Sequence, residues 1–498
     1  MGSSVSERAT SRDVEAFLAR VREEPLLKLV GEVADRLGLE AYVVGGYVRD
    51  GLLGRTHPDI DFAVVGSGSG IRLARAVARA LGAAEPVVYR QFGTAMVSYQ
   101  GIQLEFVGTR RESYRASSRK PLVEEGTLED DLRRRDFTIN ALAVRLGASG
   151  GELIDLFGGL EDLRRGLIRT PLDPVRTFYD DPLRMIRAIR LAVQLEFTID
   201  PAALEGIRLE RERIQIVSME RITEELQKLL LTRRPGQGFA LLHETGLLEL
   251  LLPELAALEG VETVSGYGHK DNLRHTLQVL DQVAALSEEL PQERRLWLRW
   301  AALLHDVGKA PTKRFVPGEG WTFHGHDEVG ARMVPAIFRR LRLPMDERMR
   351  RVQKLVRLHL RPIALSSQPI TDSAVRRLIL EAGEDLEDLL LLARADITTR
   401  NRARALRHEA RLRTLEARIR EVEERDRMRQ WRPPIDGHEI MALLNLKPGP
   451  AVGRIKRAIE EAILEGIIPN EHDAAVAYMM QIKDQILSES AAESHARS

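Results

Sequence analysis

The residues of this chain best suited to phosphate chemistry begin with two adjacent glycines, Gly45 and Gly46. They follow an apolar run that predicts a buried strand, and they precede a segment that predicts the start of a helix. Glycine lets a ligand approach the backbone closely, because no Cβ intervenes. The free N–H groups and partial positive charge at a helix N-terminus suit an anion. The turn is therefore predicted to bind a phosphate group.

Two carboxylates follow this turn. Asp59 and Asp61 alternate with the apolar residues Ile60 and Phe62, which predicts a strand with both carboxylates on one face. Adjacent carboxylates repel each other unless a cation lies between them, and hard oxygen ligands favour Mg²⁺. Such a site beside a phosphate-binding turn indicates nucleotidyl transfer. Glu105, in a later predicted strand, is either a third carboxylate of the metal face or an ordinary exposed strand residue.

The elements around these residues predict a mixed sheet flanked by helices. Apolar positions at helical spacing over residues 13–38 predict two packed helices before the first strand, and residues 70–82 predict another helix. Runs that begin at Val87, Thr94 and Ile102 predict further strands. These strands would carry the glycine turn and the carboxylates at one part of the sheet.

The glycine pair, the adjacent Arg49 and Asp50, and the Asp-x-Asp motif occur in an order that resembles the polymerase-beta superfamily. The resemblance is to the class II tRNA nucleotidyltransferases (CCA-adding enzymes) and bacterial poly(A) polymerases. It implies that Arg49 and Asp50 bind the nucleotide together with Gly45 and Gly46. It also implies Mg²⁺ as the metal of the catalytic head, with CTP, ATP and tRNA as partners.

Arg135, Asp136 and Asn140 match the family motif that recognises the ribose. They offer a donor, an acceptor and an amide that does both, which suits a 2′-OH. The polar residues 108–131 before this motif lack a sustained period and predict a mobile loop. In CCA-adding enzymes a flexible loop at this place takes part in the switch to adding the terminal A.

Residues 180–193 predict an amphipathic helix, in which Asp181 and Arg184 share a face. A carboxylate acceptor beside a guanidinium donor can imitate a base edge that accepts cytosine and adenine but not uracil or guanine. The family uses a Glu-Asp-x-x-Arg motif in this way, and here Asp180 stands where Glu is usual. Two further arginines of this helix are also predicted to bind nucleotide, namely Arg187 and Arg190.

An ordered set of histidines and carboxylates at separate predicted helices indicates a second site. Its members are His275, His305, Asp306, His326, His359 and Asp396. The set resembles the metal ligands of the HD superfamily of phosphohydrolases, with His324 as an alternative to His326 and Lys309 near the substrate phosphate. An imidazole-rich site suits Ni²⁺, Mn²⁺ or Fe better than Mg²⁺. The resemblance implies phosphatase and 2′,3′-cyclic phosphodiesterase activity, and a purely structural HD domain is the alternative.

Composition agrees with a soluble globular protein of several domains. The chain has 498 residues, 44% of them hydrophobic and 30% charged, which predicts three or four domains. The N-terminus lacks the apolar core of a signal peptide, and no segment approaches the ~20 apolar residues of a membrane span. The absence of cysteine excludes disulfides and thiolate sites, so we expect a cytoplasmic protein. The 74 basic residues balance the 74 acidic ones, so RNA binding would need local basic patches.

The predicted fold class is α+β, a mixed-sheet nucleotidyltransferase head followed by all-α neck, HD and tail domains. Heptad-like apolar steps in a charged helix, from Leu412 to Val422, indicate core packing or the seam of a homodimer. The predicted divisions are residues 1–30 (N-terminal helical segment), 31–170 (head), 171–260 (neck, binding base and tRNA), 261–400 (HD domain), 401–430 (charged helix), 431–487 (tail, binding tRNA) and 488–498 (disordered).

The predicted function is addition of C, C and A to the 3′ end of tRNA. A poly(A) polymerase is one alternative, although residues 89–95 lack the Gly-Arg-Arg-Phe-like strand usual in that group. An HD phosphohydrolase with an RNA-binding head is another alternative, and the intact Asp59 and Asp61 oppose it. An enzyme that adds only CC is a third, and such enzymes usually lack the flexible loop.

Overall fold

The computed structural model describes residues 8–90, 93–115, 118–264, 267–268, 271–367, 369–398, 402–426 and 434–495. It divides into two compact units. Unit 1 comprises Met1–Glu259 with Arg339–Leu343, and unit 2 comprises Gly260–Phe338 with Pro344–Ser498. The chain thus passes from unit 1 to unit 2 beside the predicted boundary between neck and HD domain. Within the described residues, no helix combines the length and the apolar character needed to cross a membrane.

The strands lie mostly in the head. In chain order they are β1 Ala41–Val44, β2 Ile60–Val64, β3 Val87–Tyr89, β4 Thr94–Tyr99, β5 Ile102–Gly108, β6 Arg110–Arg115, β7 Ser118–Glu125, β8 Leu142–Arg145, β9 Leu153–Asp155, β10 Leu167–Ile168, β11 Thr198–Ile199, β12 Thr263–Val264, β13 Tyr267–Gly268, β14 Arg314–Val316 and β15 Gly320–Thr322.

Seven strands form one mixed sheet in the order β3-β4-β5-β2-β1-β8-β9. Its central neighbours β2 and β5 run parallel, whereas every other neighbouring pair is antiparallel. Period-2 alternation places Phe62 of β2 and Phe106 of β5 on the same buried face, where their rings stack at 4.7 Å between centroids. The α+β class and the mixed sheet predicted for the head are confirmed.

Helices make up most of the rest. Those of the head and neck are α1 Ser11–Glu23, α2 Pro25–Leu37, α3 Gly46–Leu52, α4 Ser69–Leu81, α5 Leu128–Arg133, α6 Gly159–Arg165, α7 Pro174–Asp180, α8 Leu183–Leu195, α9 Pro201–Glu210, α10 Met219–Leu230, α11 Pro235–Glu244, α12 Leu247–Leu251 and α13 Pro253–Ala256. The later ones are α14 Asn272–Leu286, α15 Gln292–Leu304, α16 Lys309–Thr312, α17 His326–Arg340, α18 Glu347–Leu358, α19 Arg361–Ser366, α20 Asp372–Ala382, α21 Leu386–Ala395, α22 Arg402–Asp426, α23 Gly437–Leu444, α24 Pro450–Leu464 and α25 His472–His495.

The segment predicted as a loop over 108–131 is instead the two-stranded ribbon β6–β7 followed by α5. The ribbon is not hydrogen-bonded into the seven-stranded sheet. Its residues are mostly polar and show no apolar alternation, so the sequence did not mark the strands. The segment therefore contains regular structure that was not predicted, and its mobility stays a prediction.

The helix predicted over 180–193 is also different. Asp180 ends α7, Asp181 is extended with φ −137° and ψ 98°, and α8 begins only after Pro182. A proline disfavours helical conformation in the residue before it, which explains why Asp181 lies outside the helix. Asp181 and Arg184 therefore do not share a helical face.

The C-terminal part is helical, as predicted. Of the two alternatives for α22, core packing agrees with the structure, because its apolar residues are buried within this chain (Leu412, Leu415, Ile419 and Val422). The last helix continues to His495, beyond residue 488 where the sequence predicts disorder. Residues 91 and 92, which belong to the stretch compared with poly(A) polymerases, lie outside the described residues.

Candidate functional site

Asp61 and Glu105 lie side by side at the centre of the head sheet. They occupy paired positions of the parallel strands β2 and β5, so their carboxylates leave the same face. Burial raises the pKa of Asp61, although the guanidinium of Arg135 opposes this effect. Burial and the neighbouring Asp61 also raise the pKa of Glu105. Two carboxylates that resist ionisation together are arranged as ligands for a cation.

Asp59 takes a different place from the one expected. It lies just before β2 rather than within it, and it is exposed. Among the residues that the structure describes, Asp59, Asp61 and Glu105 do not form one of the groups in which three ligand atoms converge. The structure thus places Glu105 beside Asp61 on one face of the sheet, and its part in a metal site stays a prediction.

Gly45 connects β1 to α3 in a conformation that only glycine adopts readily, with φ 74° and ψ −137°. A Cβ at this position would lie 3.0 Å from Nη1 of Arg135 and 3.3 Å from Oδ2 of Asp61. Arg135 and Asp61 therefore both reach the glycine turn. Arg135 is held there by Asp131, a buried carboxylate that also accepts hydrogen bonds from Arg134.

Arg49 and Asp50 are buried and bind each other. Arg49 is 5% exposed; its Nε and Nη2 donate to Asp50 at 2.8 and 2.7 Å, and its Nη1 donates to Asn140 at 2.8 Å. Asn140 in turn donates to Asp136 at 2.9 Å. The network places the predicted triphosphate residues and the predicted ribose residues in one buried chain of hydrogen bonds.

This chain extends into the neck helix α8. Arg187 forms an ion pair with Asp136 at 2.6 Å, and although burial opposes ionisation, Arg187 and Asn140 lower the pKa of Asp136. Arg190 of the same helix pairs instead with Glu225, at 2.6 Å from Nε to Oε2. The structure therefore brings Arg187 to the ribose motif but turns Arg190 toward α10.

The predicted base-reading pair lies at the start of α8. Arg184 donates to the carbonyl of Arg134 at 2.6 Å, which ties it to the head, and Asp181 accepts from the N–H of Leu183 at 3.2 Å. Arg221 of α10 lies 3.7 Å from the other oxygen of Asp181. Both side chains thus have fixed positions beside the ribose motif.

Sequence reasoning did not identify His57. Its Nδ1 lies 2.7 Å from Asp50, and its ring covers Gly46 so closely that a Cβ there would approach it at 2.8 Å. The available signal was its place two residues before Asp59, between the glycine turn and the carboxylates.

The second site gathers all six predicted ligands within unit 2. Five of them lie at helix ends, where the chain can change direction and several helices can aim side chains at one point; His275 instead lies within the first turn of α14. The two oxygens of Asp306 face different partners. Oδ2 lies 3.5 Å from Nε2 of His275 and 3.4 Å from that of His305, whereas Oδ1 lies 3.3 Å from His326 and 3.8 Å from His359.

Asp306 therefore belongs to two groups of three ligand atoms, with His275 and His305 in one and His326 and His359 in the other. Asp396 joins the first group, 2.9 Å from His275. His324 is 82% exposed and outside both groups, so the structure selects His326. Lys309 reaches Asp306 at 2.6 Å.

The chemistry of this site fits metal ions. Among the residues that the structure describes, the buried Nε2 atoms of His305, His326 and His359 have no hydrogen-bond partner, and each lies within 4 Å of Asp306. Buried polar atoms without partners are costly unless something binds them. Burial and the nearby His305 lower the pKa of His359 to about 4, which keeps its ring neutral, as a metal ligand must be. Imidazoles with two carboxylates suit a transition metal.

Three protein-family models match separate parts of the chain. They are "Poly A polymerase head domain" over residues 41–169, "Probable RNA and SrmB- binding site of polymerase A" over 196–258, and "HD domain" over 272–401. These segments contain the glycine turn with its carboxylates, the neck helices after α8, and the six-ligand cluster respectively.

Similar proteins extend this result over most of the chain. An A-adding tRNA nucleotidyltransferase of Deinococcus radiodurans is 36% identical, covering 87% of this chain and 94% of its own. A CC-adding tRNA nucleotidyltransferase of Thermus thermophilus is 38% identical, covering 87% and 92%. A solved tRNA nucleotidyltransferase complexed with a primer tRNA and an incoming ATP analog has 25% identity and a TM-score of 0.54, covering 78% and 98%.

Proposed function

The chain belongs to the tRNA nucleotidyltransferase family, and we propose that it adds C, C and A to the 3′ end of tRNA from CTP and ATP. The observation that carries this proposal is the convergence of Asp61 and Arg135 on the turn at Gly45, with Glu105 paired to Asp61 on the neighbouring strand. A paired carboxylate face beside a glycine turn and a guanidinium is suited to hold a nucleoside triphosphate and to transfer its nucleotidyl group.

In this proposal Asp61 and Glu105 would hold Mg²⁺ on their shared face, and Asp59, exposed just before β2, would be a further ligand. The metal would supply charge stabilisation for the attacking 3′-hydroxyl and the leaving pyrophosphate. Arg135, fixed by Asp131, would donate to the bound nucleotide next to Gly45. Glycine at this place leaves room for that contact, because any Cβ would occupy it.

The ribose and base are recognised where the head meets α8. Asp136 and Asn140 face the ribose from a network that Arg49 and Arg187 hold rigid. Asp181 accepts from the exocyclic amine of the base, and Arg184 donates to the adjacent ring nitrogen. Cytosine and adenine share that pattern, so one protein surface selects both nucleotides.

The nucleotides that the enzyme adds distinguish full CCA addition from CC-only and A-only addition. The ribbon β6–β7 occupies the place of the loop that CC-only enzymes usually lack, which favours full CCA addition. The 36% identity with an A-adding enzyme makes A addition to tRNA ending in CC the second candidate.

Three tRNA transcripts test these candidates, one lacking CCA, one ending in C and one ending in CC. Each is incubated with Mg²⁺ and with CTP, ATP or both. Full CCA addition requires CTP incorporation on the first transcript followed by a single A. An A-only enzyme would extend only the third, and a poly(A) polymerase would add a run of A to any RNA.

For the second site we propose metal-dependent hydrolysis of a phosphate ester at an RNA 3′ end, including a 2′,3′-cyclic phosphate. His275, His305, His326, His359, Asp306 and Asp396 would hold Ni²⁺, Mn²⁺ or Fe, which would supply an activated water and charge stabilisation. Lys309 would contact the phosphate. Hydrolysis of a cyclic phosphate that disappears in Asp306→Asn, while nucleotide addition remains, is the expected result. Equal hydrolysis by both proteins would contradict it.

A further inference from the structure

The four histidines of the metal cluster are oriented through Nδ1, but one of these four hydrogen bonds differs in kind. In His305, His326 and His359 the partner is the backbone carbonyl three residues earlier, at 2.7, 2.8 and 2.6 Å. In His275 it is the hydroxyl of Thr398, at 2.8 Å and far along the chain. A backbone carbonyl is present whatever the side chain, whereas this hydroxyl depends on one residue type.

We infer that Thr398 is a positioning residue for one half of the metal centre, an inference that rests on the metal site proposed above. When Nε2 of His275 binds a metal ion, Nδ1 carries the ring proton, and the hydroxyl of Thr398 would then accept from Nδ1–H at 2.8 Å. That Nε2 lies 2.9 Å from Asp396 and 3.5 Å from Asp306. The hydrogen bond therefore keeps the ligand atom directed at the two carboxylates.

One short turn supplies both groups that hold this ring. Asp396 ends α21, and the N–H of Thr398 donates to the carbonyl of Asp396 at 2.8 Å. The turn thus presents a carboxylate to Nε2 and a hydroxyl to Nδ1 of the same histidine. Such a geometry couples the orientation of His275 to the position of the ligand Asp396.

Loss of the hydroxyl is therefore expected to affect the two groups of ligands unequally. The group with His275 and His305 loses the orientation of one member, whereas His326 and His359 keep their backbone partners. Removing a hydrogen-bond partner of a metal-bound histidine typically costs about 10–100-fold in metal affinity. One ion of the centre should weaken by that factor while the other is retained.

Mn²⁺ binding to the full-length protein tests this inference. Equilibrium dialysis counts the bound Mn²⁺ ions, and subtracting the count for Asp306→Asn leaves the ions that bind the cluster. Electron paramagnetic resonance then distinguishes coupled from isolated Mn²⁺. We expect a coupled pair in the unaltered protein and in Thr398→Ser. In Thr398→Val, which keeps the shape but removes the hydroxyl, we expect weakening of one ion by about 10–100-fold and an isolated signal.

Thr371→Val is a matched control. Thr371 caps α20 through its hydroxyl, and no hydrogen bond described in the structure links it to a metal-ligating residue. It should lower stability without changing the two ions. In a His275→Ala background, Thr398→Val should cause no further loss, since the hydroxyl acts through His275. The comparison in the His275→Ala background tests the role of the hydroxyl even if Thr398→Val by itself lowers the stability of the protein.

Each outcome has a separate meaning. Two coupled ions of unchanged affinity in Thr398→Val would overturn the role of Thr398 and leave the metal centre intact. An additional loss in the His275→Ala background would show a general structural role and also overturn it. Absence of Mn²⁺ binding that depends on Asp306 in the unaltered protein would overturn the proposed metal centre itself.

Discussion

Asp61 and Glu105 lie opposite each other on parallel neighbouring strands, and the pKa of each carboxyl is raised by burial. An acid whose folded-state pKa is raised destabilises the fold when it ionises, because the unfolded chain releases that proton more easily. The cost is present at neutral pH and disappears as pH falls below the ordinary carboxyl range. The pair thus stores an unfavourable charge that a bound cation would offset.

The first prediction concerns stability without Mg²⁺. Asp61→Asn should raise the thermal midpoint at pH 7, by about 2–4 °C for each kcal/mol relieved, and the gain should shrink toward pH 4. Glu85→Gln, at an exposed position of the head, is the control and should change little. Added Mg²⁺ should raise the midpoint of the unaltered protein more than that of Asp61→Asn. A lower midpoint for Asp61→Asn without Mg²⁺ would contradict the paired-charge account.

The second prediction concerns Gly45. Gly45→Ala should cost about 1–3 kcal/mol through backbone strain and should sharply reduce nucleotide addition, because its Cβ would crowd Arg135 and Asp61. Gly38→Ala is the matched control, since Gly38 also has positive φ but nothing lies near its Cβ position. It should cost stability while leaving the KM for CTP unchanged. Chemical unfolding and steady-state kinetics measure the two effects, and normal kinetics in Gly45→Ala would contradict the site.

The third prediction distinguishes two roles for Arg49. A residue that only binds triphosphate would alter KM without altering stability. The buried pair with Asp50 predicts instead that Arg49→Ala lowers the free energy of unfolding by about 1.5–3 kcal/mol, because Asp50 then keeps only His57 as a partner. Urea unfolding measures this loss, and Arg133→Ala, at an exposed pair, is the control. An Arg49→Ala protein of unchanged stability would restore the triphosphate role predicted from sequence.

The fourth prediction is a pH dependence in the neck. His243 lies 2.8 Å from Glu249 and 3.0 Å from Glu259. Burial opposes the charged ring, but the two carboxylates raise the pKa of His243. Its stabilising contribution is therefore full below the ordinary histidine value of about 6.5 and is lost as pH rises through the higher folded value. The thermal midpoint of His243→Gln should therefore vary less with pH over this interval than that of the unaltered protein. An unchanged pH dependence would contradict the pairing of His243 with the two carboxylates.

The sequence predicted the head sheet well because its strands carry the period-2 pattern of a half-buried surface. It placed Glu105 only provisionally, since which strands become neighbours is decided by tertiary packing. The parallel pairing of β2 with β5 is what brings Glu105 to Asp61. The hydrogen bond from Arg49 to Asn140 was also not predictable, because the two residues lie far apart in the sequence.

The six residues of the histidine and aspartate cluster could be selected from the sequence because their types and order are distinctive, and metal binding by them stays a prediction. Their grouping around the two oxygens of Asp306 required coordinates, as did the contact between Thr398 and His275. The start of α8 was predicted too early, because the helical spacing of the apolar residues was extended back across Pro182. A proline disfavours helical conformation in the residue before it. The tail beyond residue 488 was missed because polar composition suggested disorder, while Ala491 and Ala492 favour a helix.

The central claim is nucleotidyl transfer at the carboxylate face of the head, and single-turnover incorporation tests it most directly. Labelled CTP, Mg²⁺ and tRNA lacking CCA are mixed with excess protein, and tRNA binding is measured in parallel. The account predicts incorporation by the unaltered protein, a loss of about 100-fold or more in Asp61→Asn, a smaller loss in Glu105→Gln, and unchanged tRNA binding in both. Incorporation by Asp61→Asn at the unaltered rate would contradict the account.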